Sequence, residues 1–366
     1  MSKRKQYLRA LRNERFDRLT WVPNFDYWLI VNAERGTVPA QYRDLSRNDL
    51  VRNVGGTIWS RVKTVSAHVP DIPTERQELG QGKWRETLHT NSGDLTTVYV
   101  TQGGEDHAVV LHEHPVKSVK DLPALLEVIR ATKFKINPEP ARMELEDVGQ
   151  DGVILEPCPC IPFIQFGKTD TGWETGLYMW FDHRKAVDEV IEAYAELFLE
   201  EIRLTVEHSP AEIIHFGDNM DQLMVSPEIF THYAAPFYKR AAEIIHSAGK
   251  LLEVHWCGRT GKLLPLLPDT GVNVVEAVVT EPMSELAVED ALKSLSGQVV
   301  MQGGLPSVLM CKEGGSREDL QRYVQHILKD IHPTQSFVLG MADNVPPNAD
   351  FERVRIVSDL VAQAYG

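Results

Sequence analysis

Cysteine is scarce in this chain, with four in 366 residues, at Cys158, Cys160, Cys257 and Cys311. Four are too few for a disulfide scaffold of this length, which leaves free thiols or metal ligands. Long apolar runs are missing as well. No segment approaches the roughly 18 consecutive apolar residues of a membrane span, and the opening stretch MSKRKQYLRALRNERFDRL has no apolar core of signal-peptide length. A cytoplasmic location is the expectation. Positive charge is in deficit too: 38 Lys and Arg against 52 Asp and Glu give a formal net charge of -14. Gripping a phosphate backbone needs clustered cations, so nucleic acid is not an expected partner. The short basic stretch from Lys3 to Arg15 reads as a helix with a solvated face. What the chain does have is 43% hydrophobic residues, ample for a large core.

From about residue 150 onward, short β-branched runs alternate with amphipathic stretches, the pattern of βα units around a parallel sheet. Strands are expected at 153–157, 212–216, 250–256, 272–278, 298–302 and 336–340. Helices are expected near 185–207, 227–248, 261–267, 286–295, 317–331 and 350–364. Two earlier strands, WVPNF (21–25) and GTIWS (56–60), with a helix around 45–52, bring the count to eight, which predicts an α/β fold: one (β/α)8 barrel spanning 1–366. Residues 76–117 break the rhythm. RETLHT and DLTTVYV, joined by Asn91-Ser92-Gly93, then AVVLHEH, read as antiparallel strands before a helix at 119–132. They predict a hairpin excursion over one mouth of the barrel.

In such barrels the chemistry sits at the carboxyl ends of the strands. Polar residues gather there: Asp26, Glu156 and Cys158, Asp218 and Asn219, His255 and Cys257, Glu276, and Asp343 with Asn344. His255 and Cys257 lie two apart and so face the same way. Imidazole and thiolate are zinc ligands, but a catalytic zinc normally has three from the protein. The third could be Asp343, Cys311, Glu276, or the Cys158/Cys160 pair. Trp28, Trp173, Tyr178 and Trp180 are candidates to stack on an aromatic ligand.

The run from HFGDNM through LLEVHWCG and VVEAV to VVMQGG and LGMADNVPP resembles the uroporphyrinogen decarboxylase superfamily, and most closely its cobamide-dependent methyltransferase branch. The resemblance implies a TIM barrel over essentially the whole chain. Decarboxylases of the superfamily carry an arginine-rich segment soon after the first strand; here NFDYWLIVNAERG has only Arg35. The H-x-C-G of residues 255–258 resembles the zinc motif of the methyltransferases, which a cysteine before a Pro-Pro turn completes. Asp343 stands in that cysteine's place, giving His255, Cys257 and Asp343 as the implied zinc set. Looser likeness in VVEAVVTEPMSELAVEDA points to members that demethylate methoxylated aromatics. The implied activity moves a methyl group from a small-molecule O-methyl donor to the Co(I) corrinoid (cobalamin) of a partner protein. Glu276 or Glu156 would serve as an acid toward the leaving oxygen, and Asp26, Asp218, Asn219, Trp28 and Trp180 would line the substrate. A homodimer is compatible with the family, and a lyase acting on a smaller carboxylated substrate is the alternative activity.

Overall fold

Eight short parallel strands form one sheet: β1 (Trp21–Val22), β2 (Ile58–Arg61), β3 (Gly152–Cys158), β4 (Ile213–Phe216), β5 (Leu251–His255), β6 (Val274–Val278), β7 (Val300–Leu305) and β8 (Phe337–Met341). The order is β1-β8-β7-β6-β5-β4-β3-β2. A backbone hydrogen bond from Thr57 N–H to the Trp21 carbonyl (2.8 Å) links the two outermost strands, so the sheet curls into a barrel. The computed structural model describes residues 1–14, 18–101, 109–331 and 336–365. Arg15, the end of the expected basic helix, and Ala108, the first residue of the expected strand AVVLHEH, lie outside the described residues.

Every strand that the sequence predicts is present, because buried β-branched runs bounded by Pro, Gly and Asp have no other economical arrangement than a sheet covered on both faces. Alternation then sorts the side chains. Val153, Leu155, Ile213, Leu251, Val274, Val300 and Val338 form one inner cluster. Their neighbours along each strand, such as Ile154, Ile214, Leu252 and Val275, join the larger layer between barrel and helices. Helices Arg184–His208 and Phe351–Gln363 match the expectation closely.

Several expectations need correction. No regular helix fills 261–267; Pro265 and Pro268 remove backbone donors, and only 3-10 turns form at Leu264–Leu266 and Pro268–Thr270. The first strand stops at Val22, before Pro23, and a helix Asp26–Arg35 precedes the expected one, which runs Arg47–Asn53. The antiparallel excursion has a fourth strand, Thr74–Gly80, ahead of Lys83–Thr90, Gly93–Thr101 and Val109–Glu113. Thr74–Gly80 is exposed throughout and carries no alternation to read.

The N-terminal helix Lys3–Leu11 is more than a solvated face. Tyr7 and Leu11 are buried among the inner barrel residues. Its cations point at strand starts, Lys3 Nζ donating to the Gly56 carbonyl (2.7 Å) and Arg4 pairing with Glu212. The helix therefore closes the floor of the barrel, opposite the mouth. No helix among the described residues is long and apolar enough to cross a membrane.

Candidate functional site

Register sets out a polar layer inside the barrel. His215 on β4 lies beside Glu253 on β5, His255 on β5 beside Glu276 on β6, and Glu276 beside Gln302 on β7. All five are buried. Burial of this many polar groups is tolerable only where they satisfy one another. His215 Nδ1 meets Glu253 Oε1 at 2.9 Å, and the same oxygen accepts from Trp59 Nε1 at 3.1 Å. His255 Nδ1 meets Glu276 Oε2 at 2.5 Å. From the floor, the Tyr7 hydroxyl donates to Gln302 Oε1 at 2.5 Å.

His255 is the last residue of β5. Its Nε2 lies 3.7 Å from Asp343 Oδ1, across the mouth from the end of β8. Burial works against a charge on this imidazole, but the Glu276 carboxylate and the Cys257 sulfur beside it hold its proton and raise its pKa to about 11. With Glu276 on Nδ1, the ring is oriented with Nε2 toward the mouth, as a carboxylate orients a metal-ligating histidine. Trp256 faces outward between the two, its indole N–H 3.3 Å from the Tyr238 hydroxyl. Gly258 then lets the chain pass: a Cβ there would stand 2.4 Å from the Met220 carbonyl oxygen.

Backbone strain collects at the same rim. Asn219 (φ 49°), Ala277 (φ 66°) and Asp343 (φ 88°) are left-handed non-glycine residues beyond or at the ends of β4, β6 and β8. Ala277 sits in a register shift between β6 and β7, directly after Glu276. Strain and bulges of this kind re-aim side chains and persist where the surroundings enforce them.

The remaining expected residues fall into two groups. Asn219 and Asp218 adjoin the centre: Asn219 N–H donates to the His255 carbonyl (3.0 Å), and its Oδ1 is 3.6 Å from Cys257 Sγ. Asp218 is fully buried, accepting from Ile161 N–H (2.8 Å) and the Tyr238 hydroxyl (2.5 Å). The others are held elsewhere. Glu156 is on the helix-facing side of β3, where its Oε1 accepts from the backbone N–H groups of Thr64 (2.5 Å) and Val65 (3.1 Å). Cys158 reaches Thr205 (3.7 Å), and Cys311 reaches Asn348 (3.4 Å). Asp26 is clamped by Arg47 (2.7 Å) and Arg61 (2.5 Å). Trp28 packs on Phe351 with ring centroids 4.7 Å apart, and Trp180 donates to the Tyr233 hydroxyl (2.9 Å). None of these contacts is with His255.

Sequence reasoning passed over His215, Glu253, Gln302 and Tyr7. For the first two a signal existed: Leu251, Glu253 and His255 alternate onto one face, and EIIHF puts a histidine at the matching height of the next strand. Among the described residues, the one group of histidine, cysteine and carboxylate donors close enough to share a cation is His215, His255 and Glu276, whose ligand atoms lie within 4.8 Å of one another. Cys257 and Asp343 are outside that group.

Two results should follow from this geometry. Glu276→Gln should weaken any divalent-metal binding at His255 by at least about 10-fold, the lower end of the cost of losing a histidine's carboxylate partner, and should let the His255 pKa fall; metal titration and imidazole NMR read both. The second concerns Asp218, whose carboxyl burial raises from its ordinary 3.8 to about 7. The raised value favours the protonated form in the fold, so its stabilisation is complete below about pH 4 and is lost as pH rises through 7. Wild type should therefore lose stability relative to Asp218→Asn between pH 5 and 8, at up to about 1.4 kcal/mol per pH unit; parallel urea midpoints across that range would refute it.

The chain matches the family described as uroporphyrinogen decarboxylase (URO-D) over residues 106–364, and it belongs to that family. Among solved structures, a methyltransferase from Methanosarcina mazei is similar over 100% of both chains, at 14% identity and a TM-score of 0.62, which reflects a shared fold. D-psicose 3-epimerase from Clostridium cellulolyticum H10 is a more distant likeness, at 9% identity and a TM-score of 0.37 over 68% of this chain and 86% of that one. No curated protein matches the chain.

Proposed function

We propose that this protein is a metal-dependent methyltransferase that takes a methyl group from a methoxylated, aromatic small molecule and delivers it to the Co(I) corrinoid of a partner protein. The observation that carries the reading is the buried His255–Glu276 pair, whose ring points its second nitrogen into the barrel mouth. The likeness in fold to a methyltransferase of the same architecture supports it. So does the arginine inventory: Arg47 and Arg61, near the first two strands, are both committed to Asp26 and are not free to hold the carboxylates of a decarboxylase substrate.

The donor set fits a divalent cation. Zinc bound at His255 would supply Lewis acidity toward the ether oxygen, where charge builds as the methyl carbon leaves. The chain's own part is positional. Glu276 holds the His255 ring in place through its contact with Nδ1. Asn219, strained and tied to the His255 carbonyl, borders the space above. The pair of electrons from the broken C–O bond stays on the donor oxygen, which leaves as a phenolate and is reprotonated at the open mouth.

Exposed apolar side chains support the reading of a protein partner. Tyr178, Phe181, Leu223, Met224 and Met283 are exposed in segments that follow β3, β4 and β6, and Leu223 and Met283 line one hollow together. Apolar side chains grouped on one face are the usual mark of an interaction surface.

The direct test mixes purified protein, a panel of methoxylated aromatics and chemically reduced cobalamin. Growth of the methylcobalamin spectrum with equal release of phenol is the expected result. Release of CO2 from carboxylated substrates, with no methylcobalamin, would instead establish a lyase.

A further inference from the structure

His255 stands between two sets of donors. On the mouth side are Cys257 and Asp343; on the inner side are Glu276 and His215. The outer set is poorly gathered. The Asp343 side chain is 48% exposed and its Oδ1 already accepts from Asn344 Nδ2 at 2.8 Å, while the Cys257 thiol is shared between the His255 ring and Asn219 Oδ1 and falls outside the group whose donors converge. The inner set is compact and buried, its three ligand atoms within 4.8 Å of one another.

Charge and tautomer favour the inner set as well. Glu253 fixes His215 by accepting from Nδ1, so the lone pair of His215 is on Nε2, free for a cation. Glu253 Oε2 is buried and accepts no hydrogen bond among the described residues. Two carboxylates, Glu253 and Glu276, are thus buried beside two imidazoles in the barrel interior, and a buried surplus of negative charge calls for a positive partner.

We propose that the metal of this protein is held by His215, His255 and Glu276, a two-histidine, one-carboxylate set on the inner side of the H-x-C motif, the ion taking the place of the proton now between His255 Nδ1 and Glu276, and that Cys257 is a free thiol beside it. Such a set suits zinc and other borderline divalent metals and keeps positions open for an oxygen ligand. Glu253, held in turn by Trp59, is a positioning residue for His215. The proposal takes from the preceding reading only that a divalent metal binds at His255.

The test uses the full chain, stripped of metal and titrated with Co(II), without donor or corrinoid. Wild type should show the visible bands of bound cobalt and no thiolate-to-cobalt charge transfer in the near ultraviolet. His215→Gln should bind Co(II) at least about ten-fold more weakly, and Cys257→Ala within about two-fold of wild type, since an orienting partner alone is worth 10–100-fold. An intense charge-transfer band that vanishes in Cys257→Ala, with affinity retained in His215→Gln, would overturn the proposal, as would the absence of any cobalt binding. If His215→Gln does not fold, the wild-type spectrum and Cys257→Ala decide alone. Methyl transfer with a thiolate band would sink only this assignment; a thiolate-free spectrum without methyl transfer would sink only the functional reading.

Discussion

Replacing His255 with Ala should empty the proposed metal site and reduce the proposed methyl transfer by roughly three orders of magnitude or more, because a lost ligand must cost more than the 10–100-fold typical of its outer partners. The residue is shared by both donor sets, so the result does not depend on which of them holds the ion. It also removes the partner of a buried carboxylate: Glu276 is 3% exposed and would be left without the contact His255 Nδ1 now makes at 2.5 Å. The fold should survive because the cavity opens toward solvent at the mouth, and the far-ultraviolet circular dichroism should be unchanged. Elemental analysis and the methylcobalamin assay on the same preparation check the two halves. Metal near one per chain in His255→Ala would refute the placement of the site.

The second large effect is on stability. Trp256, between His255 and Cys257 in sequence, is fully buried on the opposite face of the strand end, edge-on to Phe230 with ring centroids 5.7 Å apart. Trp256→Ala should cost about 3–5 kcal/mol, the range for truncating a large core aromatic. It also frees the Tyr238 hydroxyl from one of its two contacts, the other being Asp218. Urea unfolding followed by circular dichroism would measure the shift, and a loss below about 1 kcal/mol would show that the site can collapse around the missing ring. Trp256→Phe should recover most of it.

The sequence HWCG therefore carries three physical demands in four residues: a ligand facing in, a ring packing outward, and a glycine that clears a neighbouring carbonyl. The barrel was legible because each of its strands is a buried apolar run with its own boundaries, and so was the gathering of polar residues at its carboxyl ends. Less of the site was. Glu156 reads like Glu276 in sequence, a carboxylate late in an apolar run, yet it falls on the other parity of its strand and binds two backbone amides. Parity can be assigned only when a strand's start is known to one residue, and that is the least certain feature of a short strand. Tyr7 was invisible for a different reason. Nothing local says that a residue on a basic helix will be bonded to Gln302, 295 positions later. Asp26 and Trp28 sit directly after β1 and still do not contact His255, because the helix that follows carries them to Arg47, Arg61 and Phe351.

The helix across the floor also sets the order of events. With Tyr7 and Leu11 filling the closed end, traffic in the proposed reaction belongs to the mouth. In the proposed reaction a methyl donor must already be inside when a corrinoid protein arrives, and the demethylated product stays until that protein lifts away. Turnover is then a queue at a single door: donor first, acceptor second, acceptor out, product last. Excess corrinoid protein should inhibit competitively against the donor, a kinetic signature written by nine residues at the far end of the barrel.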